Sequence, residues 1–314
     1  MPVPAPESAW LRGCACGQPA FRTNLVRQSD RESPVWRIRL KPYNADPCHC
    51  LPMPVTDLAS TILLGLIEGI TEFLPVSSTG HLLIAEHWLG ARSDVFNVVI
   101  QAGAILAVLL IYRERLWRLA SGLHQAENRA YAAKLVVAFL ITAVLGFAAA
   151  RLGFKLPESI TPVAWALIVG GVWMLGAEWF AARRPEHVEI TWTVAVLVGL
   201  AQVIAGVFPG TSRSAATIFV ALLAGTGNRA AATEFAFLVG IPTMFAASGY
   251  ELLKALKGGG LHEDWSALAL AFVVSAITAF VVVRWLLGYI RTHRFTPFAI
   301  YRIVLGVALL GFGA

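Results

Sequence analysis

Between Gly65 and Leu83 the chain reads GLIEGITEFLPVSSTGHLL, an apolar stretch that carries two carboxylates, a hydroxyl run and a histidine. Glu68 and Glu72 are four residues apart, so on a helix they share one face, one turn above the other, as a paired acidic surface. Pro75 cannot continue that helix, because its ring clashes with the preceding turn and it has no N–H to donate. The chain should reverse or unwind at Val76, and Ser77, Ser78, Thr79, Gly80 and His81 should open a second, short helix whose free N–H groups attract anions. A second polar turn, PGTSRSAAT from Pro209 to Thr217, places Arg213 between Ser212 and Ser214 at another helix start. A guanidinium fork and backbone N–H groups converging on one spot suit a phosphate.

The elements that must hold these turns are dictated by composition. The 314-residue chain is 57% hydrophobic and 14% charged, against roughly 45–50% apolar and about 25% charged in soluble domains. This is the composition of a polytopic membrane protein. Lipid demands internally satisfied backbone and the apolar runs lack period-two alternation, so the spans should be helices and the fold class all-α. The net charge of +6 sits in short loops between spans, a topology signal that requires no nucleic-acid partner. Spans are expected at 95–112, 131–150, 165–180, 235–253, 268–287 and 298–312, with a further apolar helix at 192–207 stopped by Pro209. The segment 58–74 and the short helix after Pro75 are each too brief for a clean crossing of roughly 20 residues, so they are expected to form a re-entrant hairpin.

GLIEGITEFLPVSST from Gly65 aligns without a gap on GLAQVIAGVFPGTSR from Gly199, pairing Glu68 with Gln202, Pro75 with Pro209, Ser77 with Thr211 and Ser78 with Ser212 at one constant offset. Paired, proline-interrupted segments in two halves point to inverted-topology repeats, here about 58–180 and 190–314, meeting at a site inside the membrane. Glu68, Glu72, His81 and Arg213 are ionisable groups in apolar sequence, each costing on the order of 3 kcal/mol at mid-bilayer, which makes function the default reading. A buried Glu–Arg bridge would account for only part of the cluster.

Residues 1–52 differ in kind from the membrane domain at 53–314, being rich in Pro and Arg with no spanning run. They are expected to be a disordered tail, with Met53 as an alternative gene start. Cys14, Cys16, Cys48 and Cys50, with His49, form C-x-C pairs, tighter than the usual zinc spacing of about two to four intervening residues.

Glu68-GIT-Glu72-FLPVSSTGH and Pro209-GTSRSAAT resemble the two signature motifs of the undecaprenyl-diphosphate phosphatases, the bacitracin-resistance family. FNVVIQAGAI from Phe96, FAFLVGIP from Phe235 and FAIYRIVLG from Phe298 are similar to further family segments in the same order. The resemblance covers essentially 53–314 and implies removal of the terminal phosphate of undecaprenyl diphosphate. The product is the carrier for peptidoglycan synthesis, and the setting a bacterial inner membrane with membrane lipid around it. It implies no nucleic acid and is compatible with a homodimer.

On that reading Arg213 and the helix-start N–H groups stabilise the transferring phosphoryl group. Ser78 is the candidate nucleophile, activated by His81, which also returns the proton or activates water. Glu68 and Glu72 would hold a divalent cation, Mg²⁺ or Ca²⁺. Ser77, Thr79, Thr211, Ser212 and Ser214 contact phosphate or merely cap the broken helices, and direct attack by water with Glu72 or His81 as base fits the same residues. A lipid-phosphate or phosphate transporter is the competing reading, since broken helices in inverted repeats are transporter architecture. By the positive-inside rule the loop with Arg113, Arg115, Arg118, Arg129 and Lys134 is cytoplasmic, as are Arg183 and Arg184, which opens the first motif to the extracytoplasmic side.

Overall fold

A computed structural model describes residues 21–30, 33–42, 55–153, 159–183, 185–257 and 264–312, and the chain divides into two units, Met1–Pro54 and Val55–Ala314. In the first, β1 (Phe21–Asp30) and β2 (Ser33–Pro42) pair antiparallel, with Phe21 opposite Pro42 and Asp30 opposite Ser33. Both strands fall within the 1–52 segment read above as a disordered tail. Their signal is in the sequence: Trp36, Ile38 and Leu40 alternate with Arg37, Arg39 and Lys41, the period of a strand. The four cysteines and His49 of the zinc reading, and Arg184, lie outside the described residues.

Among its described residues, the regular elements of the second unit are all helices. α1 (Val55–Thr71) is followed by a break and α2 (Ser78–Leu89); α3 (Asp94–Ile111), α4 (Arg113–Ser121), α5 (Ala126–Arg151) and α6 (Ile160–Ala181) complete the first half. α7 (Trp192–Val207) leads through a second break to α8 (Arg213–Ala221), which runs into a π-helical turn at Leu222–Thr226. α9 (Arg229–Lys257), α10 (Trp265–Tyr289) and α11 (Thr296–Phe312) follow. Five helices, α3, α5, α6, α9 and α10, are long and apolar enough to cross a membrane, so this is a multi-pass membrane protein. α5 leaves Val136, Leu140, Val144 and Phe147 exposed, a surface that only lipid would leave uncharged.

The expected spans coincide with helices, and the apolar helix expected at 192–207 matches to the residue. The expected basic loop after Tyr112 is instead the helix α4. Arg, Leu and Glu are good helix formers, and its Arg115 pairs with Glu234 at 2.8 Å while Leu119 is buried.

α1 packs on α10, and α7 on α5. Both approaches are close for one reason. A Cβ on Gly65 would lie 2.9 Å from the Ala271 carbonyl oxygen, and one on Gly199 would lie 2.8 Å from that of Ala138. α10 also packs on α3, α5 on α9, α3 on α9, and α6 on α11.

A contact joins the two ends of each broken pair. At the start of α1, Asp57 is ion-paired with Arg92, just past the end of α2. Ahead of α7, the His187 N–H donates to the Thr226 carbonyl at the end of the π-helical turn, 2.7 Å away. Glu178 near the end of α6 gathers Arg229 at 3.0 Å, the Phe295 N–H at 3.0 Å and the Thr296 hydroxyl at 3.3 Å, tying the starts of α9 and α11 to one end of the bundle.

Candidate active site

The two breaks use the same local device. Ser77 precedes α2 with φ 75°, and its Oγ accepts from the Gly80 N–H at 3.4 Å. Ser212 precedes α8 with φ 66°, and its Oγ accepts from the Ala215 N–H at 3.3 Å. Among the described residues these are the only non-glycine positions at positive φ, a conformation L-residues adopt at a cost and which clusters at functional sites. The strain turns the chain sharply, so that each short helix starts where the longer one stops.

Those starts converge. Glu72 lies one residue past α1, its N–H still bonded to the Glu68 carbonyl at 2.9 Å. One carboxylate oxygen of Glu72 accepts from the Ser78 hydroxyl, the first residue of α2. The other receives Arg213, the first residue of α8, at 3.4 Å. The Ser214 hydroxyl donates to the Leu74 carbonyl at 2.8 Å and stands 3.1 Å from Ser212 Oγ. The second helix start is thereby bonded to the first break. Glu68 is 1% exposed, and its Oε2 has no hydrogen-bond partner.

A cavity of about 690 Å³ opens over this cluster. Its polar end is formed by Glu72, Ser77, Ser78, Thr79, Ser212 and Arg213, and its apolar walls by residues such as Phe139, Phe147, Val203 and Val207. A smaller cavity of about 180 Å³ lies on the other side of Ser78 and Thr79 and is bordered by Glu68, Glu86, Asn97 and Gln101. Two helix N-termini and a guanidinium at one wall make an anion site with an apolar approach.

Of the sequence-derived set, Glu72, Ser77, Ser78, Thr79, Ser212 and Arg213 line the larger cavity, whereas Glu68 borders only the smaller one and His81, Thr211 and Ser214 line neither. His81 is not the partner of Ser78: its Nδ1 is 2.7 Å from the Ser77 carbonyl oxygen and its Nε2 is 2.7 Å from the Tyr301 hydroxyl. Spacing on a helix put both side chains within reach, but the start of α2 turns Ser78 back toward Glu72. Thr211 is not a capping residue either. Its carbonyl faces inward, accepting from Arg302 at 3.1 Å, and the equivalent of Ser77 is Ser212, one residue beyond the ungapped alignment. The ungapped pairing of Ser78 with Ser212 is corrected accordingly, to Ser78 with Arg213.

Arg302 and Tyr301 on α11 were missed, although an arginine inside an apolar run is itself a signal. Gln202, the counterpart of Glu68, donates through Nε2 to the Thr142 hydroxyl at 3.2 Å, and that hydroxyl bonds the Gly199 carbonyl at 3.0 Å. In the second half, then, the position of the buried carboxylate serves to hold α7 on α5.

The family described as "Bacitracin resistance protein BacA" matches residues 61–308. The undecaprenyl-diphosphatase of Rhizobium etli (strain CFN 42) is 72% identical over 259 residues, covering 82% of this chain and 98% of its own length. That of Rhizobium johnstonii is 70% identical over 259 residues, with the same shares of each chain, 82% and 98%. That of Xanthomonas euvesicatoria pv. vesicatoria is 63% identical over 257 residues, 82% of this chain and 97% of its own. Because the matched region contains both broken turns and the helices that bring them together, the chain belongs to the bacitracin resistance protein BacA family.

Proposed function

We propose that the protein hydrolyses undecaprenyl diphosphate to undecaprenyl phosphate and inorganic phosphate, regenerating the lipid carrier for peptidoglycan synthesis and contributing to bacitracin resistance. The observation that carries the mechanism is Glu72, whose two oxygens join Ser78 on one helix start to Arg213 on the other. Ser78 Oγ attacks the terminal phosphorus while Glu72 accepts its proton. The bond to the bridging oxygen breaks, and Glu72 passes the proton to the departing undecaprenyl phosphate. A water then attacks the phosphoserine, giving its proton by way of Glu72 to Ser78 Oγ and releasing phosphate. Arg213, with the first-turn N–H groups of α2 and α8, offsets the charge on the phosphoryl oxygens throughout. His81, held by Ser77 and Tyr301, keeps the start of α2 in place.

Glu68 and Glu72 fit a divalent cation, Mg²⁺ or Ca²⁺: both are hard oxygen donors, and Glu68 Oε2 is buried without a partner. Among the described residues no group of three or more His, Cys, Asp or Glu forms a cage, so water and diphosphate oxygens would complete the ligands. When bound, the cation would screen the diphosphate charge.

The two halves read as inverted repeats with re-entrant broken hairpins. Exchanging α1, α2, α3, α5 and α6 for α7, α8, α9, α10 and α11 carries the α1–α10 packing onto α7–α5 and the α3–α10 packing onto α9–α5. It leaves α3–α9 and α6–α11 as self-paired contacts. The Asp57–Arg92 and His187–Thr226 contacts support hairpins that go back to their own side. With Arg113, Arg115, Arg118 and Arg183 on the cytoplasmic face, the cavity opens the other way. Its outer lining, Ala149, Ala150, Tyr250 and Glu251, lies near the opposite ends of α5 and α9. This supports an extracytoplasmic active site in the inner membrane, with the prenyl chain leaving along the apolar wall into lipid.

The test is phosphate release from undecaprenyl diphosphate by purified protein in detergent, with and without EDTA. Metal-dependent release abolished by Arg213→Ala is the expected result. Folded wild-type protein that releases none would overturn the reading and favour transport of a lipid phosphate.

A further inference from the structure

Arg302 is 0% exposed and the bulkiest of the fully buried side chains among the described residues. Its described partners are carbonyls and a thioether, with no carboxylate among them. One terminal nitrogen donates to the carbonyls of Gly210 at 2.9 Å, Thr211 at 3.1 Å and Ala166 at 3.2 Å. The other reaches the Pro75 carbonyl at 3.5 Å and the Met174 sulfur at 3.6 Å. Pro75 belongs to the first break, Gly210 and Thr211 to the second, and Ala166 to α6. A single planar fork thus holds both broken turns against one helix.

The site is built for it. A Cβ on Gly170 would lie 3.0 Å from the Arg302 guanidinium carbon, so α6 carries no side chain where the guanidinium sits. An uncompensated buried cation is costly, and helix packing alone would be served by an apolar residue. What the arginine supplies is orientation. Drawing the Thr211 carbonyl inward turns the Ser212 N–H of the same planar peptide the opposite way, and fixing Pro75 and Gly210 together fixes the separation of the helix starts at Ser78 and Arg213.

We infer that Arg302 is a positioning residue for phosphoryl transfer, clamping the two broken turns into one phosphate site. This rests on the hydrolase reading of that site. A second consequence is a positive charge behind the turns that favours an anion in front of them.

The test compares wild type with Arg302→Met, Arg302→Lys, Gly170→Ala and the packing control Gly306→Ala. The control sits at the same α6–α11 contact, where its Cβ would lie 2.7 Å from the Ala164 carbonyl oxygen. Three quantities are measured in detergent: kcat and KM for phosphate release, orthovanadate affinity by calorimetry, and the thermal unfolding midpoint. Arg302→Met is expected to lower kcat about 100-fold, the scale of a misplacement near 1 Å, with little change in KM and vanadate affinity falling alongside kcat. Arg302→Lys should recover part of both, and Gly170→Ala should reproduce the loss by displacing the guanidinium. Gly306→Ala should lower the midpoint alone. Folded variants with wild-type kcat and vanadate affinity would overturn the clamp, as would an equal kcat loss in Gly306→Ala. Should Arg302→Met not fold, Gly170→Ala decides by the same criteria. A wild type without phosphate release would remove the hydrolase reading, and the vanadate comparison of wild type with Gly170→Ala would still judge the clamp.

Discussion

The two broken turns share a backbone and differ in chemistry. Each has a proline, a serine at positive φ and a short helix capped by that serine. After the cap, however, the first turn presents the hydroxyl of Ser78 and the second the guanidinium of Arg213. On the helix before the break the first has Glu68 where the second has Gln202. The second turn is also one residue longer between proline and serine. Its extra peptide supplies the Thr211 carbonyl to Arg302. The lesson is that a duplicated turn keeps what its geometry needs, the strained cap and the free helix start, while the positions that meet the ligand take complementary roles. On the proposed reading, a nucleophile and a cation opposite each other serve phosphoryl transfer better than two of either.

That contrast can be broken at its centre. Arg213→Ala and Glu72→Gln should each reduce kcat on the order of 1,000-fold, the scale of removing a preorganised group that offsets transition-state charge, in steady-state phosphate release. Ser78→Ala tests the role given to the first turn. Activity near background is expected, whereas substantial residual turnover would transfer the attack to water and leave Ser78 as a phosphate contact. The pair on the helices before the breaks sharpens the comparison further. Glu68→Gln makes the first half resemble the second and should cost about 10–100-fold in activity or in cation affinity, read by titrating metal into EDTA-treated protein. Gln202→Leu should instead lower the unfolding midpoint while leaving the metal titration in place.

Smaller effects separate strain from capping. Ala at Ser77 or Ser212 loses a cap worth about 1 kcal/mol and keeps the positive φ. Gly loses the same cap but relieves a left-handed strain of roughly 1–2 kcal/mol. Thermal unfolding in detergent should therefore rank wild type and the Gly variants together, with both Ala variants below them. An Ala variant as stable as the Gly one would show that the positive φ carries no strain. The smallest change is expected from Tyr301→Phe, which removes one hydrogen bond to His81 and should alter kcat only a few-fold.

How far these features were legible depended on whether their cause is local. Glu68 and Glu72 on one face follow from helical period, and the breaks follow from Pro75 and Pro209. The caps at Ser77 and Ser212 follow from hydroxyls at helix starts. Even the paired strands Phe21–Asp30 and Ser33–Pro42 have a local signal, the alternation around Ile38. The pairing of Ser78 with His81 failed because spacing along a helix reports distance on an ideal cylinder. At its first turn, beside a strained serine, a side chain faces whatever the break brings near.

The sequence by itself determined the solvent, the helical class, the positions of the spans and breaks, and the residue types available to bind a phosphate, because hydropathy, proline and helical period act within a few residues. Only the tertiary structure decided which groups meet. It set Glu72 between Ser78 and Arg213, turned His81 toward Tyr301, shifted the alignment of the two turns by a residue, and placed Arg302 behind both. The Glu72–Arg213, His81–Tyr301 and Arg302 contacts join residues 91 to 227 positions apart, and their geometry is set by how closely helices approach at glycines such as Gly65, Gly170 and Gly199.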